Sequence, residues 1–313
     1  MTRTRGSRTQ PAMGDLARAV AEALAASGWG STGRLQLLDL DVAVASDDPA
    51  LVDLVAELYA PTVTEGRARH VLALGAAEVD GRPGCSVTLD GVLVARSTAP
   101  SVAFSHLLFE ANRRCIDGAR GAVVLHAAAA DVDGRAVILA GGMGAGKSTL
   151  VAGLVRAGAG YLTDEAVAID RASGLVRPYA KPVSLGSPPA ALGPVTWRPA
   201  AAAAPYVGTS GIVPATALSS RPPAGPVVPG IVVLPRYFAD AETVVERLTG
   251  ADALTALAAH TFHLERPGML RALAALLGGR PCFRLTSGDL DRAVDAVLDL
   301  AAAERRAIGS SAA

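Results

Sequence analysis

The stretch that decides the fold reads Gly141-Gly-Met-Gly-Ala-Gly-Lys-Ser148. It fits the pattern G-x-x-x-x-G-K-[ST] at every position, and that pattern is typical of a loop that binds the phosphates of a nucleotide. Glycines let backbone N–H groups approach phosphate oxygens that larger side chains would keep away. Lys147 can then reach the β- and γ-phosphates, and the Ser148 hydroxyl can bind Mg²⁺. We expect the nucleotide to contact Gly141, Gly142, Met143, Gly144, Ala145, Gly146, Lys147, Ser148 and Thr149.

The flanking sequence predicts the strand and the helix that such a loop requires. Residues 136–140 form a short apolar run typical of a buried strand, and Asp133-Gly134 before it is a turn signal. Residues 148–157 have apolar side chains at helical spacing, and Gly158 ends the pattern. The alternative is a glycine-rich structural turn that matches the pattern by chance.

Length, charge and hydropathy narrow the function class. The 313 residues predict one large or two ordinary domains. The formal net charge is zero, from 29 basic and 29 acidic residues, which argues against nucleic-acid binding as the main function. No run approaches ~18 uninterrupted apolar residues, so no membrane-spanning helix is expected. No apolar stretch follows Arg3, Arg5 and Arg8, so these residues do not indicate a secretory signal.

The three cysteines are far apart in the chain and form no C-x-x-C pair. This pattern fits a reducing cytoplasm and argues against a zinc site. We expect Cys85, Cys115 and Cys282 to be small buried hydrophobic residues. The expected location of the protein is therefore the cytoplasm.

The pattern of apolar runs and turn signals divides the chain into four parts. They are a disordered tail at 1–12, a small α+β module at 13–118, an α/β domain with the glycine-rich loop at 119–305, and a second disordered tail at 306–313. In the module, residues 35–45 alternate and predict one strand, and Asp90-Gly91 predicts a tight hairpin. Residues 198–230 are rich in proline and alanine, and we expect an ordered extended loop rather than a flexible linker.

Two adjacent acidic residues, Asp164 and Glu165, follow a predicted strand 17 residues after Lys147. One helix and one strand fill that interval, so the pair is expected to return to the phosphate side of the sheet. Phosphoryl transfer needs a group that accepts the nucleophile's proton and a carboxylate near the metal. The alternative is a solvated turn that carries two acids.

Three basic residues are further candidates for the functional site. His126 lies in an apolar strand beside the loop strand, where it is either a core histidine or a phosphate or substrate contact. Lys181 stands in a proline-rich segment and is either an anion contact or a solvated lysine. Arg236, just after a predicted strand, could neutralise charge in a transition state. The remaining histidines show no metal-like arrangement and are interpreted as structural; those considered are His106, His260 and His263.

Four stretches together resemble one known family. They are Leu125-His126, the loop Gly141 to Ser148, Tyr161-Leu-Thr-Asp-Glu165, and Pro178-Tyr-Ala-Lys-Pro-Val-Ser-Leu185. In order and spacing, from about residue 120 to residue 185, they are similar to the HPr kinase family, in particular to bacterial HPr-kinase-related proteins. The likeness is looser to about residue 300. Met143 stands where the family loop usually has serine, and the glycine-rich signature segment of true HPr kinases is missing, so phosphorolysis is left open.

The resemblance implies a fold shared with phosphoenolpyruvate carboxykinase, with ATP and Mg²⁺ as cofactors. It implies that Asp164 accepts the proton of an acceptor serine, that Glu165 and Ser148 serve the metal, and that His126 contacts phosphate. Together with Lys147, Asp164 and His126 are then the catalytic residues. The expected activity is transfer of the γ-phosphoryl group of ATP to a hydroxyl, such as a serine of a peptide or protein, including a peptide-natural-product precursor.

Two other functions stay open at this stage. One is a small-molecule kinase of the same fold, and the other is an ATP-binding regulator without catalysis. The acid pair favours a kinase, because a sensor needs no proton acceptor. A homo-oligomer is also left open, since no residue decides the oligomeric state.

Overall fold

The computed structural model describes residues 13–186, 192–193, 197–209, 211–218, 221 and 225–311. These residues form an α/β protein in which helices pack against two mixed sheets. The tail predicted for residues 1–12 lies outside the described residues. In the described part of the chain, no helix is long and apolar enough to cross a membrane.

The first part of the chain builds a seven-stranded sheet flanked by helices. Its elements are α1 (Met13–Ala26), β1 (Gly30–Ser31), β2 (Arg34–Leu37), β3 (Leu40–Ser46), α2 (Pro49–Leu58), β4 (Val63–Thr64), β5 (His70–Val79), β6 (Arg82–Leu89), β7 (Val92–Ser97) and α3 (Pro100–Gly118). The strand order is β4-β2-β3-β5-β6-β7, and β1 pairs with β3. Only β3 and β5 run parallel among the pairs of this sheet in the described residues.

The hairpin predicted between β6 and β7 is confirmed. Asp90 and Gly91 have φ values of 51° and 79°. A two-residue hairpin turn of this kind needs positive φ at both central residues, which glycine and aspartate tolerate.

The single strand predicted over residues 35–45 is wrong. The chain turns at Leu38, whose φ is 54°, and β2 pairs antiparallel with β3. Leu37, Leu38 and Leu40 are all buried, so the apolar pattern continues through the turn and hides it. The turn residues are Leu38 and Asp39, and a single aspartate within an alternating run is a weak turn signal.

The second part builds an eight-stranded sheet with helices on both faces. Its elements are β8 (Ala122–Val132), β9 (Arg135–Ala140), α4 (Lys147–Arg156), β10 (Gly160–Thr163), β11 (Ala166–Asp170), β12 (Val176–Arg177), β13 (Val183–Ser184), α5 (Ala204–Val207), β14 (Ile212–Val213), β15 (Val228–Tyr237), β16 (Val244–Arg247), α6 (Gly250–Ala258), α7 (Met269–Leu277), β17 (Cys282–Ser287) and α8 (Leu290–Ser311). The order is β12-β11-β8-β9-β15-β17-β16, with β10 beside β8 and with β13 and β14 as a separate pair.

Three neighbouring strands of this sheet, β9, β15 and β17, run parallel. Their carboxyl ends therefore meet at one edge, the position at which α/β sheets bind ligands. The predicted order of strand, glycine-rich loop and helix is confirmed, because β9 ends at Ala140 and α4 begins at Lys147.

Three large apolar cores hold the layers together. The first lies between the first sheet and helices α2 and α3, and it also includes Ala166, Ala168 and Tyr179 from the second part. The second core joins α4 and α8 to one face of the second sheet, and the third joins α6 and α7 to the opposite face. The shared first core packs the two parts of the chain against each other.

The cysteines lie where the sequence predicts. Cys85, Cys115 and Cys282 are all free and buried. Burial raises the pKa of the Cys115 thiol to about 12 and that of Cys282 to about 11. Both thiols therefore stay protonated at neutral pH, as expected of buried hydrophobic residues.

Two segments differ in detail from the sequence prediction. Helix α8 runs to Ser311, so residues 306–311 are helical rather than a disordered tail. An ion pair between Arg305 and Asp133 links the helix to the turn between β8 and β9. The predicted loop 198–230 contains α5, β14 and two single 3₁₀ turns, while 210, 219–220 and 222–224 lie outside the described residues.

Candidate functional site

The glycine-rich loop, residues 141–148, joins the end of β9 to the start of α4. Gly144 and Gly146 have φ values of 78° and 91°, a conformation that side chains with a Cβ rarely adopt. Gly146 is the residue that caps the amino end of α4. A helix leaves its first N–H groups without partners of its own, and together with the helix dipole they favour an anion at this end.

Lys147, the first residue of α4, is 7% exposed. Its Nζ donates to the carbonyl oxygens of Gly141 at 2.8 Å and of Gly142 at 2.9 Å. Burial lowers the pKa of this ammonium, although the charges of Glu165 and Asp164 act in the opposite direction. The loop thus holds a cation inside its own turn.

His126 also contacts this cation. The structure places it in β8, where Nε2 lies 3.2 Å from Nζ of Lys147. Burial, and next the charge of Lys147, lower the pKa of His126, so its ring is neutral at pH 7. An ammonium can only donate, so Nε2 is the acceptor and the ring proton is on Nδ1.

The position of His126 in the sheet explains how a strand residue reaches the loop. Up to His126, β8 pairs with β11, and from Ala127 onward it pairs with β9. At the change of partners, the N–H of His126 donates to His260 and the N–H of Ala127 to Glu165. The backbone of the acid pair is thereby fixed beside the histidine.

Asp164 and Glu165 form the turn between β10 and β11, and the structure brings them into the cleft that Lys147 lines. Asp164 is only 5% exposed, so it is not part of a solvated turn. Its Oδ1 accepts from the hydroxyl of Tyr161 at 3.1 Å, and its Oδ2 accepts from the N–H of Ser184 at 3.2 Å. Burial, and then the charge of Asp164, raise the pKa of Tyr161, so the phenol remains a donor.

Of the two alternatives for Lys181, the solvated lysine is wrong, and the anions that it contacts are the carboxylates of the protein's own acid pair. Lys181 is buried, it does not line the cleft, and its Nζ lies 2.8 Å from Oδ1 of Asp164 and 3.3 Å from Oε2 of Glu165. Burial lowers the pKa of Lys181, but the negative charges of Asp164 and Glu165 outweigh burial and raise it above its ordinary value. Its partner is the acid pair, since the tertiary fold brings β13 against the turn between β10 and β11.

The cleft has a volume of about 820 Å³, within the range of sites for small ligands. It is bounded by the loop, the acid pair, the end of β13, the carboxyl ends of β15 and β17, and the start of α8. Its lining residues outside the motifs are Leu150, Ser184, Leu185, Gly186, Pro235, Arg236, Tyr237, Leu285, Ser287, Gly288, Asp289, Leu290, Asp291 and Ala293.

The sequence did not predict most of the side of this cleft that is formed by the ends of β15 and β17 and the start of α8. Tyr237 and Ser287 lie side by side at the ends of β15 and β17, and Asp289 begins α8 by accepting from the N–H of Arg292. Only the parallel pairing of β9, β15 and β17 brings these distant segments to the loop. Arg236 lies within β15, not after the strand, and it is an exposed residue of the cleft.

The other histidines differ in their surroundings. His263 is bonded to Asp117 at 2.9 Å, and His106 is exposed on α3, so neither belongs to the cleft. The carbonyl oxygen of His260 accepts from the N–H of His126 at 2.6 Å, but His260 does not line the cleft. Burial lowers the pKa of His260, and the charge of Lys147 lowers it further.

The donor set of the site fits a hard cation. Ser148, Asp164 and Glu165 all line the cleft and offer hydroxyl and carboxylate oxygens. Mg²⁺ is usually bound in this way, through one or two carboxylates plus the phosphates of a substrate. Among the residues that the structure describes, no group of three or more His, Cys, Asp and Glu side chains is placed to hold an ion by itself.

No model of a known protein family matches this chain, and no curated protein matches it. The function is therefore inferred from the residues and geometry of the cleft.

Proposed function

We propose that the protein is an ATP-dependent kinase that transfers the γ-phosphoryl group to a hydroxyl, with a serine of a peptide or protein as the acceptor. One observation carries this proposal: the loop lysine Lys147 and the buried carboxylate of Asp164 line the same cleft. A cation for phosphates and a carboxylate for the incoming alcohol are the two groups that phosphoryl transfer requires.

The loop and Lys147 would bind the phosphates. Backbone N–H groups at the start of α4 and the ammonium supply positive charge where negative charge develops. The ammonium of Lys147 now donates to Gly141, Gly142 and Nε2 of His126, so a bound phosphate oxygen would replace one of these three acceptors and the others would orient the lysine. The direct phosphate contact that the family resemblance implies would have to come from Nδ1–H, because Nε2 accepts from Lys147.

Asp164 would be the proton acceptor. The acceptor oxygen forms a bond to the γ-phosphorus while the bond from that phosphorus to the bridging oxygen of ADP breaks, and the hydroxyl proton passes to Asp164. Oδ1 of Asp164 already accepts from Tyr161 and Lys181, whereas Oδ2 accepts from one backbone N–H. A carboxylate oxygen has two lone pairs, so Oδ2 keeps one for the proton.

Ser148 and Glu165 would hold Mg²⁺. The ion would neutralise phosphate charge and orient the γ-phosphoryl group. Glu165 is suited to this role because its side chain is 39% exposed, unlike that of Asp164 at 3%.

The fold proposal follows the same observations. A strand, a glycine-rich loop and a helix, with an acid pair in the turn between β10 and β11, support a P-loop domain of the kind that HPr kinases share with phosphoenolpyruvate carboxykinase. Net charge zero and buried free thiols support a cytoplasmic enzyme that does not act on nucleic acid.

The proposal is tested by incubating the purified protein with Mg²⁺, γ-labelled ATP, a library of serine-containing peptides and a panel of small alcohols. We expect mass spectrometry to find phosphate on peptide serine. Label on small alcohols alone would establish a small-molecule kinase instead. ATP binding without label on any hydroxyl would favour a regulator and contradict the proposal.

A further inference from the structure

The lysine content of this chain is unusual. Lys147 and Lys181 are its only lysines among 29 Lys and Arg residues. Both are buried, at 7% and 8% exposure, and both touch the candidate site. All other positions in this count are arginines. A side-chain ammonium in place of a guanidinium therefore occurs at residues 147 and 181 alone. This compositional signal was present in the sequence.

The ammonium of Lys181 has three oxygen neighbours. They are Oδ1 of Asp164 at 2.8 Å, Oε2 of Glu165 at 3.3 Å and the carbonyl oxygen of Pro182 at 3.0 Å. The carbonyl oxygen of Lys181 itself lies 3.4 Å from the hydroxyl of Tyr161, which also donates to Asp164. The lysine and the acid pair thus form one buried network.

We propose that Lys181 is a positioning residue of the phosphoryl-transfer site, and that its ammonium holds the carboxylates of Asp164 and Glu165 in place for the roles of proton acceptor and metal ligand. This inference rests on the proposed function. Two adjacent carboxylates repel each other, and in a half-buried turn this repulsion is poorly screened. A single cation between them removes the repulsion and fixes both.

The compact shape of an ammonium explains the choice of lysine. Three acceptors from two side chains and the backbone surround one nitrogen, and an ammonium has three donors that rotate to meet them. A guanidinium is planar and larger, and its donors form a rigid fork. It would displace at least one carboxylate at this depth.

The contact of the Lys181 ammonium with both carboxylates, here called the clamp, also determines which oxygen of Asp164 is available. Lys181 and Tyr161 both bind Oδ1, so the proton from the acceptor must go to Oδ2. Without the ammonium, the carboxylate of Asp164 loses a contact at 2.8 Å and is free to rotate. Loss of Lys181 should therefore reduce turnover, with a much smaller effect on nucleotide binding, because Lys181 does not line the cleft.

The kinetic test compares Lys181→Met, Lys181→Arg and a control, Arg177→Met. Arg177 lies on the same segment and is paired with Asp39 at 2.8 Å, outside the cleft. We expect Lys181→Met to lower kcat about 100-fold with KM for ATP within about threefold of wild type. Lys181→Arg should restore less than a tenth of the activity, and Arg177→Met should match wild type.

A second measurement keeps the inference testable if Lys181→Met folds poorly. With ¹⁵N at lysine Nζ, the protein gives two side-chain ammonium signals, which Lys147→Arg assigns. The Lys181 signal should move in Asp164→Asn, because that change alters the group 2.8 Å from its nitrogen. A Lys181 signal that ignores Asp164→Asn overturns the clamp.

The outcomes separate this inference from the proposed function. An active wild type with an equally active Lys181→Met variant overturns the positioning role alone. A variant in which KM for ATP rises tenfold or more while kcat is unchanged shows a phosphate ligand instead, and also overturns the role. A wild type that binds ATP but phosphorylates no hydroxyl removes the proposed function and the positioning role with it, while the lysine signals still decide whether the clamp exists.

Discussion

Nζ of Lys147 lies 3.2 Å from Nε2 of His126 and donates to it. The same nitrogen of the histidine cannot carry a proton while it accepts from an ammonium. The histidine is thus neutral when the loop lysine is in place, and protonation of His126 would put two cations against each other. Protonation of His126 in the folded protein should therefore lower the free energy of unfolding.

The first prediction concerns stability against pH. Burial and the charge of Lys147 lower the pKa of His126 below its ordinary value of 6.5, so between these two values the unfolded chain binds more protons than the folded protein. The free energy of unfolding should therefore rise with pH in that window and level off above about 6.5. Urea denaturation from about pH 5 to about pH 8 should show a shallower rise for His126→Gln. His260 has a shift of the same sign and would leave a residual slope. Equal slopes for the two proteins would contradict the assignment.

The second prediction compares two glycines that both have positive φ, of which one lies in the glycine-rich loop and the other does not. Gly146 and Gly158 have φ values of 91° and 103°, and a Cβ at either position meets no atom closer than 3.5 Å. Replacing either glycine by alanine should lower the free energy of unfolding by about 1 kcal/mol, through backbone strain. Only Gly146→Ala should also weaken binding of a fluorescent ATP analogue, at least tenfold, because Gly146 shapes the loop. Equal affinities for the two variants would show that the loop does not bind the phosphates.

The third prediction tests the hydroxyl behind the acid pair. Tyr161 donates to Oδ1 of Asp164 at 3.1 Å, and Tyr179 donates to Oδ1 of Asn112, also at 3.1 Å. Both tyrosines are buried, so each change to phenylalanine should cost about 1 kcal/mol of unfolding free energy. Turnover should fall about tenfold in Tyr161→Phe alone, since only this hydroxyl fixes Asp164. A similar fall in Tyr179→Phe would point to a general loss of packing instead.

Local sequence was sufficient to predict the loop and the acid pair. The glycines, the lysine and the flanking apolar runs lie within one stretch of the chain, so spacing alone predicts strand, turn and helix. The interval from Lys147 to Asp164 holds one helix and one strand, which returns the chain to the same edge of the sheet. These contacts are short in sequence, and periodicity describes them well.

The contacts that sequence reasoning missed depend on which segments pack side by side. Lys181 reaches the acid pair only because β13 packs against the turn between β10 and β11. Tyr237 and Ser287 reach the loop only because β15 and β17 run parallel to β9. The alternation of apolar residues within one strand does not indicate which strand pairs with it. The turn at Leu38 was missed for a different reason, since a leucine with positive φ gives no turn signal.

The central claim is that Asp164 takes the proton of the acceptor hydroxyl while Lys147 and the loop hold ATP. Asp164→Asn keeps the shape of the side chain and removes its capacity as a base. Asp170→Asn, at the far end of β11, is the matched control, since its carboxylate accepts only within the turn that contains Ser173.

The most direct measurement is the single-turnover rate of phosphoryl transfer to a peptide serine with ATP prebound. Asp164→Asn should lose at least about 100-fold in this rate, with ATP affinity within about threefold of wild type, and Asp170→Asn should lose nothing. An Asp164→Asn protein that transfers phosphate at the wild-type rate would contradict the account.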